Sequence, residues 1–186
     1  MTAMNQEADD GDVAEEPKTV AGNETANQPA DTTKRDQYAD TEFTLYLRPA
    51  SSSALERCQR RIQRRFADLD DVWDGDSPPV ERWYKRVSEP TENPGERQVV
   101  ELFDEFQQVI GEAGGRLTPF FDEREQDSLL GFSTPERTIV FPVACLTVRE
   151  DDRLVGLYPC WLDGEHYSVG DCLDRLEDGE PVRNLA

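Results

Sequence analysis

Five arginines, Arg57, Arg60, Arg61, Arg64 and Arg65, crowd into nine residues of one segment. Guanidinium groups at helical spacing suit a phosphate-contacting face, because each neutralised phosphate releases counterions and adds affinity. The alternative is a solvated helix face whose arginines pair with surrounding acids. A second set, Cys145, Cys160, His166 and Cys172, falls late in the chain. Thiolates with an imidazole can make a tetrahedral zinc site. The run Cys160-x5-His166-x5-Cys172 is not a standard zinc knuckle, however, and cysteines that alternate with large apolar neighbours also serve as small core residues. A thiol sensor would further need an exposed cysteine of lowered pKa. A third group, Asp122, Glu123, Arg124 and Glu125, follows the pair Phe120-Phe121 and reads either as the charged mouth of a pocket or as an ion-pair cluster at a strand end. With His166 the one histidine, a general base would have to be a carboxylate or thiol of altered pKa. No phosphate-cradling glycine loop, nucleophile elbow or metalloprotease helix occurs, so an enzyme is the least supported class.

The elements that carry these residues follow from hydrophobic spacing. Residues 1–41 are rich in Asp, Glu, Thr, Asn, Gln and Ala, with no aromatic side chain before Tyr38. Such a stretch buries too little apolar area to offset its ordering entropy and reads as a disordered acidic tail. Phe43, Leu45 and Leu47 alternate as in a half-buried strand. Ser53 and Glu56 form a capping box, and Leu55, Cys58, Ile62, Phe66 and Leu69 recur as one helical stripe to about residue 69, so the arginines ride on a helix. Val80–Val87 reads as a second strand after a turn-rich loop, 70–79. Asn93, Pro94 and Glu96 start a second helix, faced by Val99, Phe103, Phe106 and Ile110 and stopped by Gly114-Gly115. Arg116–Phe121 looks extended, 127–135 is a loop, and Arg137–Arg149 is a strand apolar on both faces, with Pro142 at a bulge or edge. Asp151-Asp152 and Asp163-Gly164 mark hairpin turns. Ser168 with Asp171 caps a final helix that ends at Gly179.

The order βαβαβββα predicts one α+β domain over 42–180, followed by a C-terminal tail, 181–186. It implies a mainly antiparallel sheet bearing two longer helices and a short C-terminal helix, in a ferredoxin-like or related arrangement. Length fits one domain plus a tail: 186 residues. Acids outnumber bases 40 to 20, and the net charge is −20. Lysine occurs only at Lys18, Lys34 and Lys85, leaving arginine for the remaining bases. Self-repulsion at this charge expands a compact state, and molar salt, which shrinks the screening length to about 3 Å, removes the repulsion. The composition therefore predicts a salt-adapted protein. No run approaches the length of a membrane span and no signal peptide is evident, so the chain is expected in the cytoplasm, with no membrane partner.

The patterns Phe120-Phe121-x-x-Arg124-Glu125, Pro142-Val143-x-Cys145-Leu146-x-Val148, Leu154-Val155-Gly156-x-x-Pro159-Cys160 and Tyr167-Ser168-Val169-x-Asp171-Cys172-Leu173-Asp174-x-Leu176-Glu177 occur together in the last third of the chain. In these the chain resembles a family of small uncharacterised proteins of halophilic archaea grouped as helix-turn-helix domain proteins. The resemblance implies a regulatory role and no particular chemistry. A helix-turn-helix sets a recognition helix steeply on the helix before it, whereas here each long helix is followed by a strand. The expected function is a non-catalytic regulatory or binding module, transcription-associated through that resemblance, with DNA or a protein as partner and no cofactor. The alternative is a zinc- or thiol-dependent sensor built on Cys145, Cys160, His166 and Cys172.

Overall fold

The structure, a computed structural model, describes residues 33–73, 78–126 and 136–185. Residues 1–32 of the expected tail and the loop expected at 127–135 lie outside the described residues. The ordered chain starts before residue 42. Thr33 caps a short helix α1 (Lys34–Gln37), and Tyr38, the first aromatic residue, is buried with its hydroxyl donating to the Glu180 carbonyl at 2.6 Å.

The fold class is α+β. A four-stranded sheet, in the order β2-β1-β6-β7, joins β1 (Thr41–Leu47), β2 (Val80–Arg82), β6 (Ala144–Glu150) and β7 (Arg153–Tyr158). The β1–β2 pair is parallel, bridged by helix α2 (Ser53–Ala67), and the other pairs are antiparallel. Alternation along β1 and β6 divides the interior in two. Phe43, Leu45, Leu47, Ala144, Leu146 and Val148 join one cluster with Phe66 of α2 and Leu173 and Leu176 of α4 (Val169–Asp178). Tyr46 and Cys145, of opposite parity, belong to a second cluster. That cluster holds Val100, Phe103, Phe106 and Ile110 of α3 (Pro94–Glu112) and a three-stranded sheet, β3-β5-β4, made by β3 (Arg86–Glu89), β5 (Glu136–Val140) and β4 (Asp122–Gln126). The expectation that the β6 segment is covered on both faces follows from this division.

Two expected strands each divide in two. Arg137–Arg149 becomes β5 and β6 in different sheets, broken at Phe141-Pro142-Val143. Pro142 has no N–H to continue a ladder, and Phe141 instead donates its N–H to the Lys85 carbonyl. Val80–Val87 divides into β2 and β3 around the buried Trp83, whose backbone N–H bonds the Leu47 carbonyl. The nine described strands therefore form three sheets, the third being the hairpin of β8 (Cys160–Leu162) and β9 (Glu165–Tyr167), rather than one ferredoxin-like sheet. Arg116–Phe121 is mostly turn, with Arg116 alone bridging to Trp161.

The hairpin-turn signals and the Ser168 cap hold, whereas the capping box expected at Ser53 and Glu56 is replaced by a Ser52 cap. Asp151 and Asp152 take left-handed φ values of 49° and 64° between β6 and β7, and Asp163 and Gly164 do so between β8 and β9, as tight hairpins require. Ser168 and Asp171 form the reciprocal capping box of α4. The expected C-terminal tail is instead part of the core: Val182 and Leu185 are buried. The Asn184 amide accepts the Leu157 N–H and donates to the Leu157 carbonyl, closing the free edge of β7 as a neighbouring strand would.

Candidate nucleic-acid interface and the cysteine set

Helix α2 begins one residue earlier than its sequence cap implies, with the Ser52 hydroxyl accepting the Leu55 N–H. Its buried side is anchored by Phe66 and by Gln59, whose amide donates to the carbonyls of Arg48 at 2.7 Å and Val143 at 3.0 Å. Gln59 carries no apolar signal in the sequence. A polar side chain enters this interface because it can donate to the carbonyls just past β1 and just before β6. Cys58, expected on the apolar stripe, is exposed.

At 3.6 residues per turn, Arg57, Arg60, Arg61 and Arg64 occupy positions i, i+3, i+4 and i+7 on one strip, opposite Gln59 and Phe66 and about 10 Å long. All four are exposed, and none has an ion-pair or hydrogen-bond partner among the described residues. Arg65 departs from this set. It turns to α4 and binds Asp174 at 2.6 Å and Glu177 at 2.8 Å, which makes it a clamp between two helices. Arg64 and Arg65, in the last turn, gain a little from the helix dipole. The like-charge pairs Arg57/Arg61 and Arg60/Arg64 cost the isolated helix about 0.2–0.5 kcal/mol each. Against five arginines α2 has one acid, Glu56, while α3 has one base, Arg97, and α4 one, Arg175. One helix thus presents a positive strip on a chain of net charge −20.

The charged run after Phe120-Phe121 is an ion-pair cluster at a strand. Arg124 binds Asp122 at 2.6 Å, and Glu123 accepts bonds from Gln107 and Arg137.

The metal-binding expectation for Cys145, Cys160, His166 and Cys172 is corrected by their placement. Cys145 and Cys160 are buried in the second cluster, Cys172 is buried in the first, and His166 is exposed on β9 with its ring stacked on Phe120 at 4.8 Å. Among the described residues no three His, Cys, Asp or Glu side chains are grouped to hold a metal ion. Burial also keeps the thiols protonated. It pushes Cys160 up to about 12, against a small opposing effect of the Asn184 amide on its sulfur, and raises Cys145 and Cys172 as well. Protonated thiols are poor ligands and poor nucleophiles. The physical reason is the pleat: alternation sends the cysteines of β6 and α4 to opposite sides of the central sheet.

Fold and site together define an α+β domain that displays an arginine-faced helix. The chain belongs to a family described as helix-turn-helix domain, whose model matches residues 11–181. No curated protein and no solved structure matches it at a significant level. Among the described residues no two helices follow one another across a short turn, since α1, α2 and α3 each lead into a strand. No described helix is long and apolar enough to cross a membrane.

Proposed function

We propose that this chain is a non-catalytic, transcription-associated regulatory module of a salt-rich cell interior, which holds DNA through the outward face of α2. The observation that carries the reading is the strip of four exposed arginines, Arg57, Arg60, Arg61 and Arg64, without protein partners among the described residues of a strongly acidic chain. Folding alone gives no reason to keep mutually repelling cations on one helix face. A row of phosphates does, because guanidinium forks bind phosphate oxygens in bidentate fashion. Membership of the helix-turn-helix domain family supports the same partner. With no two consecutive helices described, the strip acts by contacting the phosphate backbone, the part of recognition that positions a protein and carries no sequence information.

Binding of duplex DNA fragments over a potassium chloride series from about 0.2 M to molar concentration tests this. The wild-type chain should bind, and the double variant Arg61→Glu/Arg64→Glu should bind at least about tenfold more weakly with an unchanged melting temperature. Absence of wild-type binding, or equal binding by the variant, rejects the reading.

A further inference from the structure

A cavity of about 540 Å³ lies between α2, the start of α4 and the break between β5 and β6. Its volume falls in the range of small-molecule sites. The wall is largely apolar, formed by side chains such as Ile62, Phe120, Phe141, Pro142 and Val143, and the ring of Phe120 is held flat against His166. Arg48, just past the end of β1, lines the same space. Its Nη1 donates to the Phe141 carbonyl at 2.9 Å and its Nε–H is enclosed by protein without a partner, which leaves Nη2 as the nitrogen open to an anion. No carboxylate pairs with Arg48 among the described residues, although the chain has 40 acids. The one carboxylate lining the cavity, Asp122, is held by Arg124 at 2.6 Å. A half-buried guanidinium in an apolar wall is costly to leave without a counter-anion. The first turn of α4, at Val169 and Gly170, borders the same wall, its end closed by the Ser168 and Asp171 capping box.

We propose that this cavity binds a small aromatic anion, with its ring against Phe120 and the apolar wall and its charged group on Arg48. The site is separate from the outward arginine strip. On α2 it uses Cys58 and Ile62, which lie round the helix from Arg57, Arg60, Arg61 and Arg64, and it stands whether or not the chain binds DNA. The direct contact of an anion with Arg48 persists in brine, because it is made within the roughly 3 Å over which molar salt screens charge.

The experiment compares phenylacetate with its neutral analogue phenylacetamide, by ligand-observed NMR titration of the full chain in molar potassium chloride. Phenylacetate should bind saturably and about tenfold tighter than phenylacetamide, the ratio expected of one charge-assisted hydrogen bond. Arg48→Gln should bring the two affinities together. Gly170→Phe should weaken both at least about tenfold by filling the cavity. A Cβ at Gly170 would meet only the Ser168 hydroxyl, at 3.3 Å, a tight contact that requires a shift of a few tenths of an ångström in that side chain. Wild-type chain that binds neither compound, that binds both equally, or that binds both undiminished in a folded Gly170→Phe variant overturns the proposal. The wild-type ratio decides even if Arg48→Gln fails to fold.

Discussion

Arg137 and the arginines of α2 are one residue type in opposite surroundings. Arg137, on β5, reaches Glu89, Asp104 and Glu123 at once and lies over the Phe103 ring at 5.4 Å. It joins β3, β4, β5 and α3 through one side chain, and although partial burial lowers its pKa, Asp104 and Glu123 raise it overall. The strip Arg57, Arg60, Arg61 and Arg64 has no such neighbours among the described residues. In a chain with twice as many acids as bases, an arginine that faces other elements readily meets carboxylates. Leaving four cations open takes a helix with one acid of its own and no described element across its outer face. The contrast separates arginines that hold the fold from arginines that pair with nothing among the described residues.

The largest perturbation should come from alkali, which attacks the interior and spares the strip. Burial raises Cys160 from 9.0 to about 12 and, together with nearby Cys172, Tyr38 from 10.0 to about 12. Both groups bind their proton more tightly folded than unfolded. Their contribution is therefore full below about pH 9 and is lost as pH rises towards 12. Denaturant melts in high salt should show a plateau to about pH 9 and a fall above it. A thiol reagent at neutral pH should modify Cys58 alone before unfolding, since Cys145, Cys160 and Cys172 are buried. Early reaction of a second thiol would contradict the buried placement.

Next in size is Arg137→Leu, which leaves Glu89, Asp104 and Glu123 without their shared cation. The Arg137 side chain is 23% exposed and its partners are 28–51% exposed, so the loss should fall short of that for a fully buried pair, at about 2 kcal/mol. Equilibrium unfolding would measure it, and a loss under about 0.5 kcal/mol would mean the hub is no more than surface decoration. Arg65→Ala should cost about 0.5–1 kcal/mol by opening the clamp to Asp174 and Glu177, with DNA affinity nearly unchanged. Four residues away, Arg61→Glu should leave stability within about 0.5 kcal/mol of wild type or slightly raise it, and still weaken DNA binding. Equal effects of Arg65→Ala and Arg61→Glu on both properties would erase the distinction between the two sets.

What could be read in the residues was local. The caps at Asn93 and Ser168, the stops at Gly114 and Gly179 and the Asp-rich hairpin turns each depend on a few neighbouring backbone angles and stand as expected. The arginine strip was legible too, because helical spacing alone places i, i+3, i+4 and i+7 on one face. Whether each cation would find a partner was not. Arg65 differs from Arg64 by the approach of α4, more than a hundred residues later in the chain. The strand divisions at Pro142 and Trp83 were also hidden, since a hydrophobic run does not state which sheet each half joins. The late cysteines looked like a set because they are close in sequence, but the pleat of the central sheet separates what sequence spacing groups. Asn184, standing in for a strand partner of Leu157, carried no apolar signal and was read as tail.

The most direct test of the open arginine strip is the salt dependence of DNA affinity. Four phosphate contacts predict that log K falls with log potassium chloride concentration at a slope of about −3.6, and that replacing Arg57, Arg60, Arg61 and Arg64 together by Gln brings the slope close to zero with the fold intact. The same slope in wild type and the fourfold variant would show that DNA, if bound, is held elsewhere.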